Sequence, residues 1–456
     1  MHITFIQPAV GRKTEGGRYP KTWIMEPLSL ATLSVMTPSE WGRSFFDDRL
    51  GEVRYNIETD AVCISVECYT ANRAYQIAER FRRRSIPVVM GGFHATLCPD
   101  EVALFADAVV CGEAEGVWAD VLHDIKNHTL KKRYMEGERP RKPQTVNAAR
   151  GDARPPNIRP PDRSIFEGRD YGPLNLVETS RGCRFQCEFC SITKFFKQTY
   201  TARPLDDVIA EIKTLPKSLL FFVDDNLAMD IERLKALCRA LKPLRKRWLG
   251  QLSVHAAHDE ALLALMAESG CAGVLIGFES LHAETLQDMG KQVNASHNDF
   301  RTAIANLRRH HISIYATFVF GYDHDTEESF EATYRFALEN KFFFAAFNHL
   351  VPFPGTDVYE RLRKEGRLLY EAWWRRDDVR FGDVVFRPKN FTPERLAELC
   401  QKYRLKFYSL PSILRRGNDY AANVRGLRKV LYFYIGNLTQ EREVMRRKGL
   451  PFGGEP

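Results

Sequence analysis

A chain of 456 residues exceeds what one hydrophobic core usually supports, so two or three domains are expected. Its composition, 44% hydrophobic and 27% charged, is that of a globular protein, and no apolar run reaches the ~20 residues of a bilayer span, so membrane-spanning helices are excluded. The net charge of +8 divides 66 basic from 58 acidic residues, and the densest basic runs, KKRYMEGERPRK and RKRW, lack interleaved aromatic platforms, which argues against a nucleic-acid surface.

The opening MHITFIQPAV has no basic run before its short apolar stretch, so a secretory leader is not expected and the chain reads as cytoplasmic, with no membrane partner. Residues 2–8, 60–66, 86–92 and 107–113 are continuous apolar runs of the kind that form parallel strands buried on both faces. Between the second and third, Ala74, Ile77, Ala78 and Phe81 recur at helical spacing behind Thr70 as a cap. This pattern predicts a doubly wound, Rossmann-like α/β domain over residues 1–130.

Periodicity then stops. Residues 131–172, which include ERPRKPQTVNAARGDARPPNIRPPDR with its six prolines, read as an extended linker. A second α/β series follows: strands LNLVET, LLFFV, LGQLSVH, AGVLIGF, ISIYATFVFG and FFFAAFNHLV, separated by five amphipathic helical segments. Six strands at this spacing predict a partial (β/α)6 barrel over residues 173–352, whose chemistry would sit at the C-terminal ends of its strands. Residues 353–456 read as a helical, aromatic-rich region.

The first barrel strand runs directly into Cys183, Cys187 and Cys190, spaced C-x-x-x-C-x-x-C. With ten cysteines in the chain, chance would place three at preset positions roughly once in 10⁵ starts, so the cluster calls for a chemical reason. In a reducing compartment, three close thiols point to zinc or an iron-sulfur cluster. A structural zinc wants a second paired Cys or His motif, and none follows at suitable distance. Three cysteines on a cubane cluster would leave one iron open for a small-molecule ligand. The other cysteines need no special role; Cys63, Cys111, Cys238 and Cys271 lie in apolar contexts where a thiol acts as a small hydrophobe.

The stretch C183-R-F-Q-C187-E-F-C190, with Phe189 before the third cysteine, resembles the radical S-adenosylmethionine superfamily. That resemblance implies a 4Fe-4S cluster on Cys183, Cys187 and Cys190, whose open iron chelates S-adenosylmethionine, and reductive cleavage that usually yields a 5′-deoxyadenosyl radical. It also implies S-adenosylmethionine contacts from Phe189, from Asp224, Asp225 and Asn226 in FFVDDN, which replace the commoner Gly-Gly-Glu, and from Gln251, Ser253 and Glu279 at later strand ends. Asp225 and Asn226 could instead simply cap a helix.

IPVVMGGFHATLCPDE and DAVVCGEAE, with FGYDHDTEESFEATYRFALE and LVPFPGTDVYERLRKEGRLL, resemble the members of that superfamily fused to a cobalamin-binding domain. Ser65, Thr70, Gly91, Gly92 and Glu113 are then the expected cobalamin contacts, although Gly91 and Gly92 could equally make an ordinary strand-to-helix turn. The loop after the first strand reads QPAVGRKTEGG, without the D-x-H-x-x-G that supplies a cobalt ligand, and His94 stands after a different strand. Any bound cobalamin is therefore expected to lack this histidine.

The resemblance implies a cobalamin-dependent radical S-adenosylmethionine methyltransferase acting on an unactivated carbon or phosphorus of a small metabolite. It would draw electrons from a low-potential donor such as flavodoxin or ferredoxin. Two alternatives stand beside it. One is a cobalamin-independent enzyme of the same architecture that performs ring formation, rearrangement or 3-amino-3-carboxypropyl transfer; the other is a non-catalytic iron-sulfur electron-transfer protein. No residue is assigned as a catalytic acid or base.

Overall fold

The computed structural model describes residues 1–11, 24–135, 159–296 and 299–453. Its first sheet contains β1 (His2–Gln7), β2 (Gly42–Asp47), β3 (Ala61–Ser65), β4 (Val88–Gly91), β5 (Ala108–Cys111) and β6 (Arg133–Met135), in the order β2-β1-β3-β4-β5-β6 and parallel throughout. The central strands are apolar on both sides because both faces are covered. Ile3 and Phe5 pack with Trp118, Val121 and Ile125, while Ile6 and Ile64 pack with Ala74, Ile77 and Phe81 of the expected helix, Ala71–Arg82. Strand order reverses between β1 and β3, the point at which doubly wound sheets open a ligand crevice.

Two strands depart from the sequence reading. β2 is an edge strand with only Phe45 and Phe46 as apolar residues, too few to announce it. β6 lies inside the segment expected to be linker, so the first sheet extends past residue 130. Tyr134 is buried there and donates to Asp124 at 2.7 Å. Residues 136–158 of that segment, including most of its proline-rich part, lie outside the described residues. From Arg163 the chain bridges the two sheets, since its guanidinium binds Glu26 at 3.0 Å and Glu211 at 2.7 Å.

The second sheet contains β7 (Asn175–Val177), β10 (Leu219–Phe222), β11 (Arg247–Leu252), β12 (Cys271–Glu279), β13 (Ser313–Phe320) and β14 (Phe344–His349), adjacent in chain order and parallel. This is the expected partial barrel of six strands. A short antiparallel pair, β8 (Ser180–Arg181) and β9 (Thr201–Ala202), flanks the cysteine loop.

The C-terminal residues serve both units. Tyr359, Trp373, Trp374 and Phe452 complete the core on one face of the first sheet. Leu396, Leu399 and Phe407 of the helix Pro393–Phe407 pack on the barrel. Among the described residues no helix is long and apolar enough to cross a membrane.

Candidate active site

The cysteine loop leaves the barrel at the C-terminal end of β7 and is held by the neighbouring strand end. Asp224, just beyond β10, accepts the Thr179 N–H at 3.0 Å and the Thr179 hydroxyl at 2.6 Å, and the Ser180 hydroxyl also donates to it. Asp225 accepts the Gly182 N–H at 2.7 Å, one residue before Cys183. Burial pushes both carboxyls up to about 6, against the hydrogen bonds that favour their ionised forms. Asn226 caps the next turn through Ala228 N–H and joins Ser253, donating to its hydroxyl at 2.7 Å. Asp224, Asn226 and Ser253 are thus fully engaged with protein, and Asp225 touches the loop itself. Gln251 is exposed on the face of β11 opposite the buried Trp248 and Leu252. Phe189 is partly buried and packs on the barrel core.

Within the loop, Cys190 N–H bonds the Cys187 carbonyl at 3.1 Å, turning the chain so that all three thiols lie within electrostatic range of one another. Burial raises the Cys183 thiol and pushes Cys187 up to about 11, so both favour the neutral form until a metal binds them. Among the described residues no three His, Cys, Asp or Glu side chains converge closely enough to enclose a single metal ion. A cubane cluster takes its thiolates on separate irons and needs a wider spread, so three cysteines around one turn fit it.

The sequence reading missed Lys291. The loop that carries it is pressed onto the cysteines: Glu188 N–H bonds the Met289 carbonyl at 3.0 Å, and Gly290 sits at φ +65° with the Gln186 carbonyl oxygen 2.6 Å from where a Cβ would be. Only glycine fits that approach. Lys291 Nζ then reaches Glu279 Oε1 at 3.2 Å. Burial opposes its charge, but the Glu279 carboxylate, joined by Cys187 and Cys190 once these are thiolates, outweighs this and holds the ammonium above the usual lysine range. Glu279 itself sits at φ +65° where the β12–β13 register shifts, which turns its carboxylate toward Lys291. The signal in the sequence was the Met-Gly-Lys that ends a helix, which fixes a turn and says nothing about what the turn faces.

Beside the loop, a cavity of about 250 Å³ opens between the first sheet and the barrel, lined by Glu67, Cys68, Tyr69, Phe93, His94 and Ser191 among others. It lies beyond the C-terminal ends of β3 and β4, and Ser191 is the neighbour of Cys190. His94 Nε2 lies 3.2 Å from the Tyr75 hydroxyl and 3.3 Å from Glu101, while its buried Nδ1 has no protein partner.

None of the five residues expected to touch cobalamin is among those that line this cavity. Thr70 locks the Glu67–Tyr69 turn, accepting the Glu67 N–H at 3.0 Å. Gly92, at φ +104°, lets its backbone pass Val66. Ser65 lies beneath it, Gly91 ends β4, and Glu113 pairs with Arg181 at 2.9 Å across the two units. The first-strand loop lies partly outside the described residues, which resume at Ile24.

Residues 177–337 match the model of the Radical SAM superfamily. The bacteriochlorophyllide d C-12(1)-methyltransferase of Chlorobaculum tepidum is 29% identical over 402 residues, 86% of this chain and 84% of that one. Two solved structures share the fold. The radical S-adenosylmethionine methyltransferase TsrM of Kitasatospora setae, with cobalamin and a [4Fe-4S] cluster bound, has a TM-score of 0.61 at 17% identity over 80% of this chain and 75% of that one. The cobalamin-dependent S-adenosylmethionine radical enzyme OxsB, with aqua-cobalamin bound, has a TM-score of 0.65 at 14% identity over 97% and 72%. The cysteine loop and most of the six-stranded partial barrel lie within the residues that match the Radical SAM superfamily, and the two solved structures share the fold of the chain.

Proposed function

We propose that the protein is a cobalamin-dependent radical S-adenosylmethionine methyltransferase acting on an unactivated carbon of a small metabolite. The observation that carries this reading is the shared cavity: Ser191 continues the cysteine loop into the space lined by Glu67, Cys68, Tyr69 and His94 at the C-terminal ends of the first sheet. A cofactor on the first domain and a cosubstrate on the cluster would therefore face each other.

In this reading Cys183, Cys187 and Cys190 would hold a 4Fe-4S cluster, which when bound supplies the electron for S-adenosylmethionine cleavage, and a corrinoid at the C-terminal ends of the first sheet, reaching the cavity with one edge, would supply the methyl relay. Lys291 receives the cosubstrate carboxylate, and Asp225 and Glu279 face its ammonium. Gln251 lies on the barrel face available to the adenosine. Asp224, Asn226 and Ser253 keep the strand ends in register so that these groups converge. Glu67 offers a polar contact to the corrinoid. The low-potential electron donor is an external protein.

The relative from Chlorobaculum tepidum, a methyltransferase over most of its length, supports the reaction class. The test is anaerobic purification with added hydroxocobalamin, followed by reduction with titanium citrate and S-adenosylmethionine. The reading expects co-purified corrinoid and one S-adenosylhomocysteine per corrinoid in a single turnover. Protein that binds S-adenosylmethionine yet holds no corrinoid would refute it and favour the cobalamin-independent alternative.

A further inference from the structure

The helix Leu427–Arg447 packs one face on the barrel. Phe433 is buried against Phe343, and Asn437 donates to the Phe343 carbonyl at 3.2 Å. Its opposite face is also apolar. Leu427, Leu431, Ile435 and Leu438 recur at i, i+4, i+8 and i+11, which makes one stripe, and each is more than half exposed. The helix Leu410–Gly417 beside it adds Leu410 and Leu414, one turn apart and equally exposed.

Arginines share this surface. Arg442 falls between Leu431 and Ile435 around the helix, Arg428 lies just beyond Ile435, and Arg415 and Arg425 are exposed nearby. Residues 410–448 hold nine Arg and Lys against three Asp and Glu, a net +6 of the chain's +8. No helix among the described residues can cross a membrane, so the pattern is that of a helix lying on a surface.

We infer that this face docks the protein on an anionic lipid bilayer, with the leucine stripe at the acyl boundary and the arginines among headgroup phosphates. Charge selects the occupant. A second copy would set the exposed Arg415, Arg425, Arg428 and Arg442 against the same four arginines, whereas anionic lipid supplies the opposite sign. The helix abuts Phe343 and Phe344, at the N-terminal end of β14, so docking there leaves the C-terminal end of the barrel, with its cysteine loop, open. The inference does not rest on the proposed reaction.

The test is co-sedimentation of the full chain with vesicles of phosphatidylcholine alone or with added phosphatidylglycerol. Wild type is expected to favour the anionic vesicles by roughly tenfold and to release at high salt. Leu431→Asp with Ile435→Asp, both at exposed positions, is expected to lose roughly tenfold in partitioning at an unchanged thermal midpoint. Ile435→Trp is expected to show a blue-shifted emission on anionic vesicles beyond that of wild type. Equal sedimentation of wild type with both vesicle types, or no blue shift, overturns the inference. So does a dimer in light scattering that the double variant splits while no vesicle binding occurs, which would assign the face to a second copy.

Discussion

Lys291 Nζ lies 3.2 Å from Glu279 Oε1, within electrostatic range of the Cys187 and Cys190 thiols, and its burial makes it a fixed positive charge at the edge of the cysteine loop. Replacing it by methionine leaves Glu279 buried and unpaired and removes the group assigned to the cosubstrate carboxylate. Lys291→Met is expected to lose about 2 kcal/mol of S-adenosylmethionine affinity, about thirtyfold, by equilibrium dialysis, with iron content unchanged. Lys291→Arg, which keeps the charge, retains most of the binding.

Gly290 and Gly366 share a φ of +65°, but only Gly290 faces a close backbone neighbour, the Gln186 carbonyl. Alanine at Gly366 carries the conformational cost alone, about 1 kcal/mol. Gly290→Ala adds the clash and pushes its loop off the cysteines. It is expected to cost about 2 kcal/mol or more in chemical denaturation and to lower the iron bound after reconstitution, whereas Gly366→Ala leaves iron unchanged.

Asp224 has its carboxyl raised by burial from an ordinary value of 3.8 to about 6. The folded protein therefore binds a proton there that the unfolded chain releases, so its contribution to stability is complete below about pH 4 and is lost as pH rises to about 6. The size is at most about 3 kcal/mol. In thermal unfolding of the metal-free protein, the stability of wild type relative to Asp224→Asn should fall across that window and stay level above it.

Arg181 gathers Glu178 at 2.8 Å, Glu113 at 2.9 Å and Glu115 at 2.5 Å, tying the strand before the cysteine loop to the first sheet. Its side chain and that of Glu115 are largely buried, so removal leaves carboxylates without a counter-charge. Arg181→Met is expected to cost about 3 kcal/mol in chemical denaturation, with Arg181→Lys between it and wild type.

The alternation of strands and helices was legible because the central strands of the first sheet are buried on both faces, as Ile3, Phe5, Val62 and Ile64 show, and those of the second carry long apolar runs. β2 and β6 escaped because edge strands need only two or three buried side chains, and Tyr134 alone fills that role in β6. The cysteines were legible because their spacing is local. Lys291 was not, because it meets them through a turn about a hundred residues on. Asp224 and Asn226 stood out as polar residues at a strand end, but only their partners Thr179, Ser180 and Ser253 reveal that they hold the strand ends together. Trp373 and Trp374 read as part of a separate helical region, yet they close the first domain's core across more than two hundred residues of chain.

The central claim is that the three cysteines hold a cluster with an iron open to S-adenosylmethionine. Electron paramagnetic resonance of the anaerobically reconstituted, dithionite-reduced protein tests it most directly. The account predicts a reduced 4Fe-4S signal whose g values shift when S-adenosylmethionine is added, and no such signal in Cys183→Ala, Cys187→Ala or Cys190→Ala. A cluster spectrum unchanged by saturating S-adenosylmethionine, or one that survives those substitutions, would contradict it.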